Sequence, residues 1–108
     1  MPKNPGLVHD VYFALVDASP AARQTLIDAC HDKLAGIAGV ESLVAGNRDE
    51  ELTRDVNDRD YDVSLHVRFT DRAAHDAYQT APEHLQFIAA NRDNWKSVRV
   101  FDTVLVTR

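Results

Sequence analysis

The sequence predicts an α+β fold: a four-stranded antiparallel sheet with helices on one face and elements in the order βαββαβ. Three observations carry that expectation. Residues 62–69 alternate apolar and polar with period two, as a half-buried strand does. The run LVHDVYFALV is rich in β-branched and aromatic residues, which suit a pleated surface. Two segments between the strands open on recognisable helix caps.

Taken in order, LVHDVYFALV follows an NPG start and forms the first strand. DASP then supplies a helix start, with Ser19 as N-cap and Pro20 at the first helical position, where its missing N–H costs nothing. Leu26, Cys30, Lys33/Leu34 and Ile37 recur at helical spacing, so one stripe of residues 20–35 faces a core. Gly36 and Gly39 end this helix, and VESLVAG forms the second strand. Residues 47–60, NRDEELTRDVNDRD, carry nine charges and almost no large apolar group, which marks a solvated loop. In the third strand Val63, Leu65, Val67 and Phe69 share one face, with Asp62, Ser64, His66 and Arg68 on the other. TDRAAHDAYQ reads as a capped helix. Pro82 breaks it and starts a second helical piece, PEHLQFIAANRDNW, before a last strand, SVRVFDTVLV. Two split β-α-β units joined in this way make the ferredoxin-like arrangement, as one domain over residues 1–108.

Composition narrows the function. Of 108 residues, 44% are hydrophobic and 27% charged, an ordinary globular balance. A formal net charge of −5 argues against nucleic acid or an anionic membrane as partner, because both need concentrated Lys and Arg. The single cysteine, Cys30, lies in an apolar-periodic segment and reads as a buried, inert thiol. MPKNPG has no apolar h-region, and the longest apolar run, VYFALV, is far short of the ~20 residues of a membrane span. A cytoplasmic protein is the expectation. No G-x-G-x-x-G, P-loop or G-x-S-x-G is present, and no H-x-x-x-H, paired cysteines or carboxylate–histidine cluster points to a metal.

The helices cover one face of the sheet, and the other needs a partner. Tyr12 on the first strand and Phe101 on the last are large apolar groups set among Asp10, Arg99 and Thr103. Such a mixed face suits a second copy of the chain packed sheet against sheet.

The candidate chemistry lies in DAYQTAPEHLQF, residues 76–87. Tyr78 and His84 stand six residues apart, which on one straight helix would turn them well away from each other. The bend at Pro82 returns the phenol and imidazole to a common hollow. His is the side chain suited to proton transfer near neutral pH, and a Tyr hydroxyl donates to an oxyanion. His9, on the apolar face of the first strand beside Val11 and Phe13, reads by itself as a buried, hydrogen-bonded core residue. Val11, Phe13, Phe87, Trp95, Val98 and Val100 fall by position around the same hollow, where they serve as core or as pocket lining. His31 and His75 read as solvated helix residues, and His66 belongs to the polar face of the third strand.

LVHDVYFALV, YDVSLHVRF, AYQTAPEH and SVRVFD, in this order and spacing, resemble the stress-responsive dimeric α/β-barrel (Dabb) family from about Leu7 to Val106. The resemblance implies a homodimer whose two sheets form a barrel, with a pocket between each sheet and its own helices. The family includes plant polyketide cyclases, whose acid–base tyrosine and histidine match Tyr78 and His84. It also puts His9 at the pocket rim, within reach of a ligand oxygen. Members often carry a second histidine before the proline, where this chain has Ala81. Two function classes follow. One is a cofactor-free enzyme acting on polyketide-like or aromatic carbonyl compounds, with His84 as base, Tyr78 steadying the enolate and His9 orienting the substrate; a cofactor-independent monooxygenase is a variant of it. The other is a non-catalytic dimer that binds a small apolar ligand or acts in a stress response, which Ala81 and the low aromatic content of 7% favour.

Overall fold

The computed structural model describes residues 5–108. Residues 1–4, the start of the MPKNPG stretch, lie outside them. The chain runs β1 (Leu7–Leu15), α1 (Pro20–Leu34), β2 (Val40–Asn47), β3 (Val63–Phe69), α2 (Arg72–Gln79), α3 (Pro82–Asn91), a 3₁₀ turn (Arg92–Asn94) and β4 (Trp95–Val104). The sheet order is β2-β3-β1-β4 with every pair antiparallel, so the predicted ferredoxin-like fold is the one formed. Among the described residues no helix is long and apolar enough to cross a membrane.

Each helix starts where its cap residue places it. The Ser19 hydroxyl accepts from the Ala22 amide at 3.3 Å, and Asp71 accepts from the Ala74 amide at 2.8 Å. Ala81 holds an extended backbone (ψ 137°) before Pro82, as the residue preceding a proline must, and α2 and α3 become two separate helices. The first helix stops at Leu34, before both glycines. Gly39 then turns the chain with φ +91°, and a Cβ there would sit 2.5 Å from the Ala74 Cβ of α2. Only glycine meets both conditions.

The core lies between the helices and one face of the sheet. Leu7, Val11, Phe13 and Leu15 of β1 meet Val63, Leu65, Val67 and Phe69 of β3 beneath Leu26, Cys30, Leu34 and Tyr78. Burial pushes the Cys30 thiol up to about 12, which keeps it protonated and unreactive at neutral pH. On the opposite face Tyr12 packs edge-on against Phe101 and Tyr61, and the His66 ring donates to Asp10 at 2.6 Å. The charged loop is better anchored than a solvated loop need be. Arg48 donates to the Arg59 carbonyl at 2.7 Å, and Arg99 of β4 donates to Asp58 at 2.7 Å. Together with Tyr61 on Tyr12, these bonds draw the end of the loop against the margin of the open face.

The two glycines after α1 respond oppositely to alanine. Gly39→Ala destabilises by more than about 1 kcal/mol through left-handed strain and collision with α2. Gly36, with nothing within 4 Å of a built Cβ, tolerates alanine or gains up to roughly 1 kcal/mol. Urea unfolding of the two variants beside the parent measures both.

Candidate functional site

The site grows from β1, which lies between β3 and β4 in the sheet. Its alternation sends His9, Val11 and Phe13 toward the helices, and the β4 ladder sets Asp102, Val100 and Val98 opposite them. A register shift between Ala14 and Leu15 then pairs Leu15 with Trp95, so Lys96 is the extra residue of a bulge. That bulge re-aims Trp95 to the inward face it shares with Val98, which strict alternation would deny it.

From the other side, α2 brings Tyr78 and α3 brings His84 and Phe87. The bend at Pro82 leaves the Tyr78 and His84 rings with centroids 4.5 Å apart, and His9 lies edge-on to Tyr78 at 6.0 Å. These residues enclose a hollow of about 190 Å³ between sheet and helices. His9, Val11 and Phe13 form its floor, and Trp95, Val98 and Val100 the wall toward β4. Tyr78, His84 and Phe87 close it from above, joined by Leu65, Gln79 and Ile88, which the sequence did not single out. The structure therefore brings all nine predicted site residues to one cavity.

Electrostatics assigns the protons. The His84 Nδ1–H donates to the Gln79 carbonyl at 3.1 Å, which leaves Nε2 as a free acceptor. Burial lowers the His84 pKa from its ordinary value, opposed by the raising effect of that hydrogen bond, and nearby His9 lowers it further. The ring is neutral at pH 7. Burial raises the Tyr78 phenol, with the Cys30 thiol adding to the effect, so Tyr78 stays a donor. Its ring is 1% exposed, and its hydroxyl makes no hydrogen bond among the described residues. The Trp95 indole N–H is likewise buried without a partner there. Two residues that line the hollow thus carry donors without acceptors among the described residues.

His9 is buried and hydrogen-bonded, as a lone histidine on an apolar face must be. Its partner is Asp102, whose Oδ1 lies 2.5 Å from Nδ1. A carboxylate can only accept, so Nδ1 carries the proton and Nε2 is the acceptor. The reading of His75 as a solvated helix residue is corrected. Its side chain is only 14% exposed, because it packs edge-on against Phe69 and His9. His75 Nε2 also lies 3.5 Å from Asp102 Oδ1, which forms the carboxylate–histidine cluster that the sequence did not reveal. The three residues are 9, 75 and 102 in the chain; the β1–β4 register pairs His9 with Asp102, and α2 brings His75 beside them. His31 is exposed on α1, as read.

Fold and hollow together define a ferredoxin-like α+β protein with a pocket between its sheet and its helices. The chain belongs to the stress responsive A/B barrel domain family, whose model matches residues 7–105. Among solved structures it is similar to a Dabb family protein from Mesorhizobium loti, at 22% identity and TM-score 0.77 over 94% of this chain and 99% of that one. A dimeric ferredoxin-like protein of unknown function from Thermobifida fusca matches at 21% identity and TM-score 0.77, over 97% and 100%. Hydroxynitrile lyase from Passiflora edulis matches at 16% identity and TM-score 0.75, over 96% and 97%. At these identities the likeness is one of fold. None of the curated proteins compared matches the chain.

The depressed His84 pKa has a sign that can be checked. Between its folded value and the ordinary value of about 6.5, the unfolded chain binds more protons than the folded one. His84 therefore favours folding fully only above about pH 6.5, and part of that stability goes as the pH falls through this window. Chemical denaturation from pH 8 to pH 5 should show a smaller acid loss in His84→Gln than in the parent.

Proposed function

We propose that the protein is a cofactor-free acid–base catalyst acting on small carbonyl compounds. The observation that carries this reading is the convergence of a neutral His84, with Nε2 unprotonated, and an unpartnered Tyr78 hydroxyl on one apolar hollow. His84 Nε2 takes a proton from the carbon α to a carbonyl. The electron pair moves onto the carbonyl oxygen, and the Tyr78 O–H donates to the enolate that forms. Asp102 holds the His9 ring with Nε2 as acceptor, ready to orient a substrate hydroxyl or amide. When the enolate carbon bonds to a second carbonyl of the same substrate, the result is ring closure, and the proton on His84 passes to the new alkoxide.

The cavity volume narrows the substrate class. A dry cavity of about 150 Å³ holds one benzene ring, so about 190 Å³ suits a single ring or the reacting end of a longer chain. Val98 and Val100, each nearly half exposed, leave room for that chain at the mouth. The same apolar lining supports plain ligand binding as a second reading.

The working unit in this proposal is a homodimer closed through the open sheet faces. Phe101 there is 52% exposed and packs edge-on against Tyr12, an apolar centre among charges that a second copy would cover. The dimeric Thermobifida fusca neighbour shares the fold and supports the same assembly. The chain should sediment at twice its 12.1 kDa. Phe101→Asp should shift it to monomer, and a native parent monomer at micromolar concentration would refute the dimer.

Deuterium exchange tests the chemistry. Small 1,3-dicarbonyl compounds or aryl ketones in D2O should exchange the hydrogen α to the carbonyl faster with the parent, as read by NMR. His84→Gln should remove the acceleration and Tyr78→Phe should cut it by about 100-fold. Because the Tyr78 hydroxyl is unpartnered, its removal should change stability by less than about 1 kcal/mol. Binding of the same compounds without faster exchange would leave ligand binding as the function.

A further inference from the structure

We propose that His9, His75 and Asp102 form a binding site for one divalent transition-metal ion, of the zinc, cobalt(II) or iron(II) class. The site does not depend on the proton-transfer reading. One ligand atom from each residue falls within a cluster no wider than 4.8 Å. His75 Nε2 and His9 Nδ1 approach the same carboxylate oxygen of Asp102, at 3.5 and 2.5 Å. Ligand atoms bonded at about 2.1 Å to one ion stand roughly 3.0–3.4 Å apart, and the His75–Asp102 spacing of 3.5 Å lies just beyond the wide end of that range. The His9–Asp102 contact has to part by less than about 1 Å. Asp102 can yield that distance, being 41% exposed on an edge strand.

Three features separate this cluster from a satisfied core hydrogen bond. Pairing His9 requires only one carboxylate, yet a second imidazole faces the same oxygen. The His75 ring is also oriented as a metal ligand is. Its Nδ1–H donates to Asp76 at 3.0 Å, and Arg72 anchors that carboxylate at 3.0 Å, which leaves His75 Nε2 unprotonated. The Gln79 amide donates to this same Nε2 at 3.4 Å, consistent with an acceptor. Finally, Phe69 walls the cluster on one side, with His75 edge-on at 5.5 Å and His9 at 6.0 Å. Two imidazoles and one carboxylate select borderline ions over magnesium or calcium, and leave coordination positions for water or a ligand. On binding, the proton between His9 Nδ1 and Asp102 leaves to solvent, and the nitrogen lone pair takes up the metal.

Cobalt(II) is the probe, because its visible spectrum reports coordination directly. Titration of the full chain should show one Co2+ per chain, displaced by Zn2+ and not by Mg2+. His75→Gln and Asp102→Asn should each weaken binding by more than about tenfold. His31→Gln, on the exposed side of α1, and His66→Gln, on the opposite sheet face, should leave it unchanged. Proton NMR of the parent supplies a reading that needs no variant: Co2+ should shift the ring signals of His9 and His75 and leave His31 in place. Absence of a saturable site, or binding that survives both His75→Gln and Asp102→Asn, would overturn the assignment.

Discussion

Burial of the helix-facing side of β1 is the constraint on which the rest depends. This strand has a neighbour on each side and helices above, so its inward residues have no route to water. Three of the first four, Leu7, Val11 and Phe13, meet that condition with hydrocarbon. His9 cannot. A buried imidazole needs a hydrogen-bond partner, and the cross-strand position supplies Asp102. One polar residue in an apolar row therefore fixes a tautomer and draws a carboxylate to the edge of the core. It also sets an acceptor beside the hollow where Tyr78 and His84 meet.

The bend at Pro82 is the second determinant, and it works through geometry alone. A continuous helix would send Tyr78 and His84 in different directions. Ending α2 at Gln79 frees that residue's carbonyl, and His84 of the next helix donates its Nδ1–H there. The break that brings the rings together thus also settles which nitrogen of His84 is basic. Local backbone chemistry and proton placement have a single cause here.

Much of this was legible in the sequence because it rests on local rules. The alternation of residues 63–69 showed β3, and Ser19 with Pro20 showed the start of α1. The proline showed the bend, and through the family resemblance the nine residues of the hollow. What escaped depends on register. Trp95 and Val98 have opposite parity, and only the bulge at Lys96 reconciles them. Asp102 sits in a strand whose inward face was known only as apolar. His75 lies on an eight-residue helix rich in alanine and charge, where nothing in the sequence says which side meets Phe69. The cluster of 9, 75 and 102 arises from pairing between distant segments, which no window of sequence contains.

The wall of the hollow that carries Trp95, Val98 and Val100 hangs on one ladder. Among the described residues β4 is bonded only to β1, as an outermost strand must be. Strand margins open by local unfolding far more readily than strands held on both sides. Breathing of β4 by a few hydrogen bonds would widen the cavity mouth while β1, the floor beneath it, stays in place. The width of the opening is then tied to the fraying of one outermost strand, with the floor of the cavity left unchanged.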